Sequence, residues 1–203
     1  MDSEMRIRNA VEADLAAIVD IYNSTIACRS VTADLDPVSV DSRWDWFRSR
    51  TPDRRPLWVV ESEDETRTDF PRIAGWLAFQ DFYSARRAYD VTAELSIYIS
   101  PDYRQQGIGR KLLHHAIANS PDLGIKNLVG CIFASNTASL RLFAGFGFEQ
   151  WGYLPAVAEF ESGTCDLVIM GRRVRQDPPE PTLPTPDRTA PRLNDVPSDH
   201  SSG

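Results

Sequence analysis

The chain of 203 residues carries 22 lysines and arginines against 29 aspartates and glutamates, for a formal net charge of −7 and a pI near 5.0. That acidic total argues against broad electrostatic binding to nucleic acid or an anionic membrane, both of which call for basic patches, yet it leaves room for a local phosphate pocket. With 42% hydrophobic residues, a chain of this length buries enough surface to fold as one domain without a disulfide or metal staple.

Met1–Glu4 shows no basic stretch leading into an apolar core, so no secretory signal is expected. No apolar run reaches the length of a membrane span. Met5–Arg8 reads as a short strand. Asn9 has Glu12 three residues on, a capping-box spacing, ahead of a helical stripe of Leu15, Ile18, Val19, Tyr22 and Ile26. Val40–Arg50 predicts a second helix with Trp44 and Phe47 on one side. Leu57–Glu61 and Ile73–Gln80 read as strands separated by the charged loop Ser62–Asp69. Glu94–Ser100 alternates, with Leu95, Ile97 and Ile99 on one face and Glu94, Ser96 and Tyr98 on the other.

A helix is predicted from about Gly107, with Ile108, Leu112, Leu113, Ala116 and Ile117 at helical spacing. His114 and His115 are neighbours on it and cannot share a metal at i,i+4 spacing. Leu128–Ala134 reads as a strand, Thr137–Gly145 as a short helix, and Phe148–Tyr153 and Asp166–Val174 as closing strands. This order predicts a mixed α/β layer structure over residues 5–174. Cys28, Cys131 and Cys165 are odd in number and far apart, which suits free thiols in a reducing cytoplasm. No metal site is expected. From Arg175 onward Pro178, Pro179, Pro181, Pro184, Pro186, Pro191 and Pro197 occur among few large apolar residues. Residues 175–203 therefore predict an extended or disordered tail, in which Pro181-Thr-Leu-Pro184 has a PxxP form.

Two stretches carry chemistry. In Glu94–Arg110 a strand ends at Ser100-Pro101, a turn follows, and Gly107 and Gly109 lead into a helix. Glycines let main-chain N–H groups approach oxygen anions, and the first unpaired N–H groups of a helix favour negative charge. Arg104 and Arg110 can add cationic donors. Alone, Gly-x-Gly equally fits a tight turn with no ligand. The second stretch, Asn136 to Phe148, reads as an Asn cap, a helix of about two turns, a glycine exit and a new strand.

Arg-x-x-Gly-x-Gly at Arg104–Gly109, after its strand, resembles the cofactor signature of the GNAT (GCN5-related) N-acetyltransferase superfamily. Asn136-Thr-Ala-Ser139-Leu-Arg-Leu-Phe143 through Gly147-Phe148 resembles that family's later motif. The stretch Arg86-Arg-Ala-Tyr-Asp-Val-Thr-Ala-Glu94-Leu-Ser-Ile-Tyr, with Ile21-Tyr22-Asn23 and Ser30-Val31-Thr32, is similar to the phosphinothricin and methionine-sulfone acetyltransferase branch. The resemblance covers about Met5–Arg173. It implies a central mixed, largely antiparallel twisted sheet of about six to seven strands flanked by about four helices.

The resemblance also implies direct transfer of acetyl from acetyl-CoA to the primary amine of a small molecule, an amino acid or analogue. Glu94 matches the general base, although a solvent-facing strand glutamate paired with Arg86 or Arg87 is the plainer reading of that residue alone. Ile97, Tyr98 and Ile99 would pair with pantetheine, and Arg104, Gln105, Gln106, Gly107, Ile108, Gly109 and Arg110 would hold the diphosphate. Asn136 would contact the pantetheine arm or the phosphates, and Ser139 would join it in binding the cofactor; Arg86, Arg87 and Tyr89 would meet the acceptor. Homodimers are common in that branch. Three positions depart from it: Phe143 stands where relatives carry a Tyr or His proton donor, Ala33 where an aromatic is expected, and Thr164 where Trp is common. Three rival readings stay open: another amine acceptor (a peptide N-terminus, a polyamine or an aminoglycoside), a non-catalytic acyl-CoA-binding regulatory module, and a tail that carries the function through PxxP docking.

Overall fold

The computed structural model describes residues 5–62, 72–83 and 86–174. The expected tail, its PxxP segment and most of the charged loop after Ser62 lie outside the described residues. Strands β1 (Met5–Asn9), β2 (Leu57–Ser62), β3 (Ile73–Asp81), β4 (Thr92–Ile99), β5 (Asn127–Phe133), β6 (Glu149–Phe160) and β7 (Gly163–Arg173) form one seven-stranded sheet in the order β1-β2-β3-β4-β5-β7-β6. Every neighbouring pair is antiparallel except β4 and β5. A parallel pair cannot be joined by a tight hairpin, and the crossover here contains the long helix α3 (Ile108–Asn119). The other α-helices are α1 (Leu15–Asn23), α2 (Trp44–Arg48) and, after β5, α4 (Thr137–Gly145). The expected mixed, largely antiparallel sheet is present.

Alternation along the central strands loads both faces. Leu57, Val59, Trp76 and Ala78 pack against Ile18 and Ile21 of α1, with Trp46 of α2 beside them. Trp58, Val60, Leu77, Phe79 and Leu95 pack against Ile108, Leu112, Leu113 and Ala116 of α3. Each fully buried aliphatic side chain of this kind stabilises the fold by roughly 1.5–3 kcal/mol relative to exposure.

Local details differ from the sequence reading where charge and long-range pairing intervene. Asn9 belongs to β1, and the turn before α1 is held by Asp14, whose carboxylate accepts from the Val11 N–H at 2.8 Å. Arg8 fixes that carboxylate at 2.6 Å and reaches Glu61 at 2.8 Å, so an ion pair between β1 and the helix entry supplants the Asn9–Glu12 capping box. Ile26 falls in a 3₁₀ turn beyond α1, and the second predicted helix divides into a 3₁₀ turn, Asp41–Arg43, and the short α2. The last two strands are longer than their hydrophobic pattern suggests. β6 continues to Phe160 through a register shift between Leu154 and Ala158, where Ala156 takes a φ of 50° and donates its N–H to Asp166 at 2.8 Å. As the sheet edge with much of its length exposed, β6 shows little burial pattern to read.

Arg55, only 3% exposed, ties the β2–β3 region to the segment entering β4. It donates to Asp81 at 2.8 Å and to the carbonyls of Arg54 at 3.0 Å and Asp90 at 2.9 Å. Arg55→Leu would strand these acceptors, although Asp81 keeps Arg54 as a partner. The expected loss is about 2–4 kcal/mol, read as a lower urea midpoint at unchanged m-value.

Candidate active site

The parallel joint of the sheet is brief. β4 pairs with β5 only at Thr92↔Asn127, Ala93↔Leu128 and Glu94↔Val129, whereas its pairing with β3 runs on to Ile99↔Gly75. The Ser100 N–H donates to the Ala74 carbonyl at 3.0 Å. Hydrogen-bonded rungs alternate in an antiparallel ladder, so Glu94, Ser96 and Tyr98 spend their main-chain groups on β3. Those of Ile97 and Ile99 face β5, and there, among the described residues, no strand meets them. A groove of about 120 Å³ occupies this splay, lined by Ile97, Ile99, Gly109, Cys131, Asn136, Ser139 and Phe143 among others. Unpaired main-chain donors and acceptors beside an apolar floor suit an extended ligand carrying its own amides.

The loop at the end of β4 opens beside this groove. Tyr103, 1% exposed, anchors the 3₁₀ turn Pro101–Tyr103 in the core. Gln105 then takes φ 62° and Gly107 φ 78°, the latter as N-cap of α3. Such alternation into the left-handed region turns successive N–H groups toward one point, an anion-binding nest that adds to the helix N-terminus. Ile108 is buried and offers the loop only its main chain. Arg104 and Gln106 are exposed, with Gln106 donating to the Asp102 carbonyl at 3.2 Å. Arg110 lies over the Phe146 ring, 5.3 Å from its centroid. A Cβ on Gly109 would stand 3.1 Å from Leu142, so the bare residue permits close approach of α4. Asn136 caps α4 by accepting from the Ser139 N–H at 3.1 Å, and both residues line the groove.

On the opposite side of β4 a cavity of about 230 Å³ lies between the sheet and the α1–α2 layer. Tyr22, Asp34, Arg43, Trp46, Trp76 and Gln80 form its wall, and it shares Ser96 and Tyr98 with the groove. Tyr22 donates to Asp34 at 2.6 Å, and Arg43 reaches Asp34 at 3.1 Å while lying over the Tyr22 ring. Gln80 donates to Ser96 at 3.0 Å and stands opposite Glu94 in register. Glu94 lines neither space itself but neighbours both linings, opposite Gln80 and two residues before Ser96 on β4. Burial pushes its carboxyl above the ordinary carboxylate range, opposed by a hydrogen bond from the Cys131 thiol. Desolvation by the surrounding walls and the neighbouring Glu94 push that thiol up to about 11.

An unpaired main-chain edge and a nest of N–H groups thus lie on one side of β4, and a pocket with one arginine and one aspartate on the other. The model of the Acetyltransferase (GNAT) family matches residues 18–148, which span all of these features. The chain belongs to that family. YwnH of Bacillus subtilis (strain 168) is 45% identical over 170 residues, covering 84% of this chain and 99% of YwnH. The L-amino acid N-acyltransferase MnaT of Escherichia coli (strain K12) is 34% identical, covering 82% and 92%. A crystal structure of a GNAT superfamily phosphinothricin acetyltransferase from Sinorhizobium meliloti in complex with acetyl-CoA superposes with TM-score 0.77 at 27% identity, covering 89% and 96%.

Acetyl-CoA is the acyl donor of this GNAT enzyme. Among the described residues no three or more His, Cys, Asp or Glu side chains gather to hold a metal ion, and no helix is long and apolar enough to cross a membrane. The residues expected to meet the acceptor stand apart from both cavities. Arg86, Arg87 and Tyr89 are exposed on the segment between β3 and β4 and line neither space. Tyr89 lies against Tyr83 at 5.2 Å, and Arg86 lies 5.8 Å from the Tyr83 centroid. Glu94 meets Cys131, not the arginine partner that its strand position suggested. Asp34, Arg43, Gln80 and Cys131 also line these spaces, and no motif in the sequence marks them. Only the arginine beside the aromatic cluster of Trp44 and Trp46 offers a faint signal.

Proposed function

We propose that this acetyltransferase acylates the α-amine of a free amino acid or a close analogue, of the phosphinothricin or methionine-sulfone type. The observation that carries this reading is the small cavity beside Glu94, which presents one arginine, Arg43, held against one carboxylate, Asp34. An amino acid brings the matching pair of charges. Arg43 suits its carboxylate through a planar fork of donors, and Asp34 is an acceptor for its ammonium. The names of MnaT and of the Sinorhizobium enzyme point to the same acceptor class.

The chemistry follows from the placement. An ammonium has no lone pair, and Glu94, its pKa raised by burial, takes a proton directly or through water. The free main-chain groups of Ile97 and Ile99 hold pantetheine as an added strand and polarise the thioester carbonyl, where negative charge develops, while those of Tyr98 are spent on β3 and leave it only a side chain at the groove. The nest at Gln105–Gly109 with Arg104 receives the diphosphate, Arg110 supplies charge nearby, and Asn136 and Ser139 flank the arm. Arg86, Arg87 and Tyr89, exposed outside both cavities, take no part in this reading.

Screening amines against acetyl-CoA with a thiol-release assay tests this. Amino acids and their phosphinate or sulfone analogues are expected to react. Turnover confined to polyamines or aminoglycosides overturns the reading, as does tight acetyl-CoA binding without turnover on any amine. Arg43→Gln is expected to raise the acceptor KM by roughly 10- to 100-fold, equivalent to one or two charged hydrogen bonds, with the acetyl-CoA KM unchanged.

A further inference from the structure

The departing CoA sulfur needs a proton, and the position expected to give one cannot. Phe143 is 4% exposed, its ring packed edge-on against Phe148 at 4.8 Å and pressed onto Gly130, where a Cβ would come within 2.5 Å of it. It lines the groove as an apolar wall and has no acidic hydrogen. The residue after Gly130 has one. Directly opposed residues of a parallel pair share a face, so Val129 lies on the same face as Glu94 and Cys131, two residues further along β5, lies on it as well. At Cys131 the strands have already parted, and this exposed residue lines the groove, close enough to Glu94 for the carboxylate to act on its thiol.

We propose that Cys131 is the general acid of this enzyme, giving its proton to the CoA sulfur and recovering one from Glu94. This rests on the acetyl-transfer reading above. One ammonium proton leaves through Glu94 to solvent. As the C–N bond forms, Glu94 takes the second; the C–S bond breaks with its electron pair on sulfur, and the Cys131 S–H proton moves to that sulfur. Glu94 then returns its proton to Cys131. The products are the amide, the CoA thiol and one released proton, and both side chains end as they began.

Electrostatics time the relay. Desolvation first, and the charge of ionised Glu94 after it, keep the thiol protonated, so Cys131 does not compete as a nucleophile for the thioester. Protonation of Glu94 by the amine removes that charge and acidifies the thiol at the moment the leaving thiolate forms.

The test uses the full-length protein with its best amino acid acceptor. Cys131→Ala is expected to lower kcat on the order of tenfold or more, with the acetyl-CoA KM within about twofold, and Cys131→Ser to restore part of the loss. Acetyl-selenocoenzyme A supplies the readout that a packing role would not move. A selenolate departs without a proton, so the defect of Cys131→Ala is expected to disappear with it. An equal defect with both donors overturns the proposal, as does an alanine variant that turns over acetyl-CoA like the wild type. Wild-type turnover reports on acetyl transfer itself, so its absence overturns both readings, whereas active wild type with an unimpaired alanine variant overturns the relay alone.

Discussion

Glu94→Gln is expected to lower kcat by about 10²–10⁴-fold while the affinity for CoA, read by calorimetry, stays within about twofold. The change preserves size and the main-chain pairing of Glu94 with Gln80 and Val129, and removes only the capacity to take a proton. The wild-type pH profile carries the complementary sign. Burial raises the Glu94 pKa, and a base works only when ionised, so kcat/KM should fall as pH drops through a value above the ordinary carboxylate range of about 4.3. That acidic limb should be absent from whatever residual rate the glutamine variant retains. A glutamine variant with wild-type kcat would remove Glu94 from the mechanism.

Trp76→Ala is expected to cost about 3–5 kcal/mol of folding stability, the largest structural effect among the pocket residues. Trp76 is 3% exposed, stacks on Tyr98 at 4.4 Å and meets Trp46 at 5.8 Å. Its indole N–H donates to the Ile18 carbonyl at 3.1 Å and so ties β3 to α1. Truncation would open a cavity where sheet, α1 and α2 meet and leave Tyr98, which borders both ligand spaces, without its stacking partner. Trp76→Phe keeps most of the ring volume and should lose about 1–2 kcal/mol. Urea unfolding of the two variants separates these values, and an alanine variant with an unchanged midpoint would contradict this role for the indole.

Much of the fold is visible in short-range patterns. The alternation of Leu95, Ile97 and Ile99 with Glu94, Ser96 and Tyr98 places the buried carboxyl and the unpaired main-chain edge on one strand. The spacing of Ile108, Leu112, Leu113 and Ala116 fixes the buried face of α3. Asn136 reads as a cap and is one. What escapes the sequence depends on register between distant segments. That β5 leaves β4 after Glu94↔Val129 is a property of the sheet's twist and of what packs beneath it, and nothing at Leu95–Ile99 announces it. The same holds for Cys131, which meets Glu94 only through a parallel pairing made across an intervening helix. The cavity beneath α1 and α2 is likewise assembled from α1, the loop at Asp34, Arg43 and two strands, so Asp34 and Gln80 carry no local signature. Arg86, Arg87 and Tyr89 form a conspicuous motif, yet stand exposed outside both cavities.

Amide hydrogen exchange of the protein with and without acetyl-CoA bears most directly on the splay between β4 and β5 as the seat of the acyl donor. The N–H groups of Ile97 and Ile99 face that groove without a strand partner, so both are expected to exchange readily in the free protein and to become protected when acetyl-CoA binds. Saturating acetyl-CoA that leaves these two amides as open as before would place the donor elsewhere and contradict this assignment of the site.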